Sequence, residues 1–306
     1  MEQNKIYLPL QGRIGNQLFQ YAFARSIQKK MGAGAVLVMD DSEILRCGWE
    51  NSLPYYNLPD VSYVHENVME QNRFSRPWFL RKMYRGLTRN KDYRKKYEWE
   101  KRLSPFFQKR GMFLCENGYL PEHCNLTGPV YLDGFFQSHH YFEAMDAEVK
   151  GLLDGNQFAQ LASYPNIDLL RNRNSVCISV KVEHNVGSSM YDVCTMQYWK
   201  EAIKYVTGQV EDPLFFICSD NVPYVLSHLI DANQFDYVEQ SREFPVHVSL
   251  AAMAECKHFI IGNTTFGWWA QYLSRNPEKI VVAPSRWMAV DMPIDLYQDG
   301  WHLVEV

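Results

Sequence analysis

The sequence predicts an α/β protein built of two Rossmann-like units. Near-continuous apolar runs such as Phe259-Ile260-Ile261 and Ile280-Val281-Val282-Ala283 suit parallel strands covered on both faces. These runs alternate with segments of helical period, most regularly in the second half of the chain. A chain of 306 residues also leaves room for two cores of ordinary size. The expected boundary puts one unit at 1–160 and the other at 161–306, facing each other across a cleft.

The elements follow in order. A strand at Lys5–Leu10 runs through a turn into a helix from about Asn16 to Met31, whose Leu18, Phe19, Ala22, Phe23, Ser26 and Ile27 make one buried stripe. A strand at Ala35–Met39 and a short one near Val61–His65 come next. Strands at Met112–Cys115 and Val130–Phe136 follow, then a helix from about His139 to Leu153. Asn156–Asn174 reads as a linking helix. The second half alternates strand Val176–Val182, helix Met196–Thr207, strand Leu214–Cys218 and helix Val222–Ile230. It continues with strand Asp236–Glu239, helix Val246–Cys256, strand His258–Ile261, helix Phe266–Leu273 and strand Lys279–Ala283.

Composition narrows the class. With 46% hydrophobic and 14% aromatic residues the chain is not a disordered one. Seven scattered cysteines, none spaced C-x-x-C, argue for reduced thiols in a cytosolic protein rather than a disulfide framework or a zinc site. The start of the chain does not read as a signal peptide, and no apolar run approaches the ~20 residues of a membrane span. Asn125-Leu126-Thr127 fits a glycosylation acceptor only by pattern.

The total charge of −4 hides an asymmetry within the insertion at 68–111. Between Arg73 and Arg110 fourteen Lys and Arg face three acids, a net +11 that leaves −15 on the rest. The same stretch holds nine aromatics, among them Trp78, Phe79 and Trp99. Cations interleaved with aromatics describe a segment that binds an anionic membrane surface, here through 73–110. The plainer reading is a solvated helical face packed on an acidic body, and no nucleic-acid partner is expected.

Two strand–turn–helix segments carry the chemistry. One is Gly12-Arg13-Ile14-Gly15-Asn16-Gln17-Leu18-Phe19-Gln20-Tyr21-Ala22; Gly12 and Gly15 allow close backbone approach and Asn16 puts an amide at the helix start. The other is Phe259-Ile260-Ile261-Gly262-Asn263-Thr264-Thr265-Phe266-Gly267-Trp268-Trp269, where two hydroxyls meet the N–H groups of a helix start and make a diphosphate cradle. Each could equally be a capped β–α turn serving the core. Together with Tyr131–Ser138 and Phe215–Asp220 they resemble the bacterial α-1,2-fucosyltransferases, glycosyltransferase family 11, over nearly the whole chain.

That resemblance implies the two-domain arrangement called GT-B, with an acceptor-side first domain, a nucleotide-sugar-binding second domain and a tail from about Trp287 returning to the first. It implies an inverting transferase that builds surface polysaccharide, with GDP-fucose as donor and a glycan acceptor, a polyprenyl-diphosphate-linked one among the candidates. Arg13 and Asn16 would lie at the reaction centre. Gly12, Gly15, Ser219, Asp220, Asn263, Thr264, Thr265 and Phe266 would bind the donor. The protein would be cytoplasmic, peripheral at the inner face of the membrane. No Asp-x-Asp is present, so neither metal nor cofactor is expected.

The chain departs from the family at one place. Where the family has His-x-Arg-Arg-Gly-Asp, with arginines on the diphosphate, this chain has Lys181-Val182-Glu183-His184-Asn185-Val186. A carboxylate cannot imitate a bidentate guanidinium. Ser249 likewise replaces an Asp read as a contact to the guanine edge. Three readings stand. Lys181 supplies the phosphate charge and Glu183 or His184 acts as base; the donor is a different nucleotide sugar; or the protein is a non-catalytic carbohydrate- or nucleotide-binding relative.

Overall fold

A computed structural model describes residues 4–71, 75–123 and 128–306. Arg73 and Phe74 of the basic segment, Cys124 and the Asn125-Leu126-Thr127 pattern lie outside the described residues. The chain divides into two compact units, one of 1–146 with 291–296 and one of 147–290 with 297–306.

The first unit holds β1 (Lys5–Pro9), α1 (Ile14–Met31), β2 (Val36–Asp40), α2 (Ser42–Arg46), β3 (Val61–Val64) and α3 (Val68–Gln71). It continues with α4 (Arg76–Thr88), α5 (Tyr93–Gln108), β4 (Met112–Cys115) and β5 (Val130–Gly134). Its strands form one parallel sheet in the order β3-β2-β1-β5-β4. The predicted stripe of α1 is buried, but so is most of the rest of the helix. Buried Gln17, Gln20 and Gln28 are tolerated because each side-chain amide bonds a main-chain carbonyl, as Gln20 Nε2 does to Gly134 O at 2.9 Å.

α6 (Asp146–Lys150) leads into the second unit. There follow α7 (Ile167–Asn172), β6 (Asn174–Val180), α8 (Met196–Thr207), β7 (Pro213–Ser219), α9 (Val222–Tyr224) and β8 (Tyr237–Glu239). α10 (Val246–Ala254), β9 (His258–Ile261), α11 (Thr265–Leu273), β10 (Val281–Pro284) and β11 (His302–Val304) complete it. The parallel sheet runs β11-β10-β9-β6-β7-β8. Val176, Ile178, Phe215, Ile217, Ile260 and Val282 fill its core with Tyr198 and Trp199 of α8.

Three predicted helices differ. The stretch 139–153 is mostly 3₁₀ turns around the single α-turn pair of α6, broken where Phe142 leaves helical dihedrals. The linking helix divides into a 3₁₀ stretch, Asn156–Ser163, and α7. Between them Tyr164 is extended, as a residue before proline prefers, and Asn166 is left-handed. The helix after β7 widens into a π-turn at Val225–Leu229.

Candidate active site

In each sheet the chain crosses from one side of its first strand to the other, at β1/β5 and at β6/β9. The carboxyl ends at such a switch point are where open α/β sheets hold ligands. Both singled-out turns sit there.

At the β1 end, Gly12 takes φ +74°, and a Cβ on it would lie 2.2 Å from Asn16 Nδ2. A side chain here would therefore displace Asn16. Arg13 caps α1 in an extended conformation and is exposed, and Gly15 is buried in the first turn of α1. Gln137, just past β5, donates from Nε2 to Asn16 Oδ1 at 2.9 Å, so one hydrogen bond spans the switch point. Gln17 Nε2 bonds both Gly12 O (3.0 Å) and Glu50 O (2.9 Å), fixing the turn against the segment after α2.

At the β6/β9 ends, buried Asn263 is fully engaged. Its Nδ2 donates to Tyr191 O (3.0 Å) and Trp287 O (2.9 Å), and its Oδ1 accepts from Asn185 Nδ2 (3.1 Å). It thus pins the loop after β6 to the loop after β10. Thr264 caps α11 by accepting from Gly267 N at 3.1 Å. Gly262 donates its amide to Ser179 O (2.9 Å), and a Cβ on Gly267 would meet Ser179 Oγ at 2.8 Å, so the helix start lies close on β6. Thr265 and Phe266 occupy the first turn, half-buried. A small cavity opens among Val180, Lys181, Asn185, Cys194, Gly262 and Asn263.

The altered strand end is organised around Asp220, at the end of β7. Its carboxylate takes the Lys181 ammonium and the backbone N–H groups of Val182 (2.8 Å) and Glu183 (3.2 Å). Glu183 Oε2 lies a further 3.9 Å from the same ammonium. Lys181 is thus neutralised within the unit. Ser219 spends its hydroxyl on Asn221 N (3.0 Å) and Asp220. Glu183 and His184 are exposed, with His184 left-handed at φ 67°. Ser249 stands in the body of α10 and is 2% exposed.

Several polar residues escaped the sequence reading. Gln137 and Asn185 each close a switch point, and each sits inside or beside a singled-out segment. Past β2 and β3, buried Asp41 accepts from His65 Nδ1 at 2.8 Å and from Asn51 Nδ2 at 3.0 Å. Their sequence separation hid that grouping. Among the described residues no three His, Cys, Asp or Glu side chains gather as metal ligands, and no helix is long and apolar enough to cross a membrane. The six described cysteines are unbridged.

The chain is 23% identical to the O-antigen biosynthesis glycosyltransferase WbnK of Escherichia coli, over 97% of this chain and 99% of that protein. It is 23% identical to an α-1,2-colitosyltransferase of Escherichia coli, covering 91% and 90%. A galactoside 2-α-L-fucosyltransferase of Caenorhabditis elegans is 25% identical over 51% of this chain and 46% of that protein. The NodZ α-1,6-fucosyltransferase soaked with GDP-fucose superposes with a TM-score of 0.54 at 13% identity, covering 92% and 95%. NodZ from Bradyrhizobium gives 0.52 at 14%, covering 96% and 100%. These likenesses establish the GT-B fold. The model of glycosyl transferase family 11 matches residues 5–305, and the chain therefore belongs to glycosyltransferase family 11.

Proposed function

We propose that this glycosyltransferase moves fucose, with inversion and without a metal ion, from GDP-fucose to a glycan hydroxyl in surface polysaccharide synthesis. One observation carries the reading: the Gly12–Gln17 and Asn263–Gly267 segments both sit at switch points, each closed by an amide hydrogen bond across it. The start of α11 holds the diphosphate, with Thr265 as hydroxyl donor. Gly12 and Gly15 bring the backbone close to the donor sugar, and Arg13 and Asn16 stand at the reaction centre beside it and the acceptor, within a first domain of 1–160; the nucleotide belongs to 161–306. Glu183 and His184 meet sugar hydroxyls. The names of the relatives support sugar transfer in O-antigen synthesis and, with NodZ, a GDP-fucose donor. The acceptor we infer is polyprenyl-diphosphate-linked, reached from the cytoplasmic face of an anionic membrane through 73–110.

A second reading, another nucleotide sugar, is favoured by Glu183 and His184 standing where the family has arginines, and by the Lys181–Asp220 pair, which engages the neighbouring ammonium. A relative that moves colitose shows that the sugar varies among similar chains. A thermal-shift screen with GDP, UDP, dTDP and CMP sugars separates the two. A ligand at 100 times its Kd stabilises the folded state by about 2.7 kcal/mol. GDP-fucose should raise the melting temperature, in EDTA as without it. A rise with another nucleotide alone moves the donor assignment, and a rise with none removes the function.

A further inference from the structure

We propose that His65, oriented by Asp41, is the general base that takes the proton from the acceptor hydroxyl. This rests on the transferase reading above. Both residues stand where β2 and β3 end, on the sheet edge that carries the Gly12 turn: Pro9 pairs with Asp40 and Asp40 with Val64, so the three strands finish level. Asp41 is 3% exposed, and its Oδ1 lies 2.8 Å from His65 Nδ1, while the His65 side chain is 69% exposed. A carboxylate only accepts, so Nδ1 carries the proton and Nε2 is the open basic nitrogen.

The carboxylate is itself held. Asn51 Nδ2 donates to Asp41 Oδ2 at 3.0 Å, and next to it Ser52 N donates to Gln17 Oε1 at 2.9 Å, the same side chain that fixes Gly12. The dyad is therefore tied through two short segments to the turn assigned to the reaction centre. The Tyr63 phenol, pushed up to about 12 by burial and by the charge of Asp41, stays neutral and does not compete. His184 has no such orienting partner among the described residues, and a base held by a third group is the arrangement that acid–base catalysis uses.

The step balances. The acceptor O–H gives its proton to His65 Nε2 as its oxygen bonds the anomeric carbon. The bond from that carbon to the phosphate oxygen breaks, and its electron pair leaves with the nucleoside diphosphate. The imidazolium then releases its proton to water.

The test uses GDP-fucose with lactose as acceptor, and calorimetry with GDP. His65→Ala should lower kcat by about 10²–10⁴-fold while the Kd for GDP and the melting temperature stay unchanged. Added imidazole should restore part of the rate, which a structural role would not allow. Asp41→Asn, which can offer an amide N–H to Nδ1 and trap the proton on Nε2, should lower kcat and leave the donor KM unmoved. Transfer by His65→Ala at the wild-type rate, or a loss matched by equal loss of GDP affinity, overturns the dyad alone. No transfer by the wild-type protein, together with no rise in its melting temperature with any of the four nucleotide sugars, overturns the transferase reading, and the dyad with it.

Discussion

Lys181 was the natural candidate for a phosphate-binding charge, and its setting changes what it can do. The ammonium lies on Asp220, whose second oxygen holds the Val182 amide. An ion pair with this much local structure behind it offers a donor phosphate little net charge. Lys181→Met should therefore reduce GDP affinity by less than about tenfold, roughly 1.4 kcal/mol, by calorimetry at low salt. A larger loss that shrinks at high salt would mean that the ammonium leaves Asp220 for the phosphate on binding. The two turns were legible because glycine, asparagine and threonine at strand–helix junctions announce themselves locally. Asp41 and His65 were not legible: neither stands in a motif, and only the pairing of β2 with β3 brings them together. The full use of Asn263 by two backbone carbonyls was hidden for the same reason, since both partners come from distant loops.

At the scale of elements, α4 and α5 bury an acid between them. Glu100 of α5 is 1% exposed; its Oε1 accepts from Tyr84 of α4 at 2.6 Å and its Oε2 from Glu116 N at 3.2 Å. Burial pushes its pKa up to about 8, with Glu116 adding repulsion. The unfolded chain loses this proton near the ordinary glutamate value, so between that value and 8 the folded state binds more protons. Stability is then full below that window and falls as pH rises through it. Thermal melts from pH 5 to 9 should show that fall, and Glu100→Gln, neutral throughout, should flatten it. An equal slope in the variant would assign the dependence to Glu116 and Asp133, both also raised by burial. The α/β alternation itself was plain in the sequence because apolar runs such as His258–Ile261 and the period of Met196–Thr207 leave no competing pattern. The 139–174 stretch was not, because its breaks depend on single dihedrals at Phe142, Tyr164 and Asn166.

For the whole molecule, the remaining question is what the basic segment meets. Part of its charge is already satisfied: Arg81 lies 2.7 Å from Asp133, Arg94 2.6 Å from Asp291, and Lys95 2.9 Å from Asp92. Trp99 is flanked by Lys91 and Arg102, and Trp78 lies under Lys82, so neither ring stands clear as an anchor. The open apolar surface is instead a stripe on α4. Pro77, Leu80, Tyr84 and Thr88 face inward, while Phe79, Met83 and Leu87, at i, i+4 and i+8, are 54%, 38% and 39% exposed. Lys82, Arg85 and Arg89 stand exposed among them. An apolar stripe flanked by cations suits a helix lying in a lipid interface, where each cation near an anionic surface would add about 1 kcal/mol. The −15 carried by the rest of the chain turns other faces away from such a surface. The protein should therefore co-sediment with phosphatidylglycerol vesicles and not with phosphatidylcholine. Binding should be lost by ~0.5 M salt, where screening acts over a few ångströms. Phe79→Ser with Met83→Ser and Leu87→Ser should weaken it without lowering the melting temperature, since none of the three supports the core. Binding that survives this triple change but not high salt would leave the cations alone as the contact, and equal binding to both lipids, or none to either, would make α4 and α5 a structural insertion.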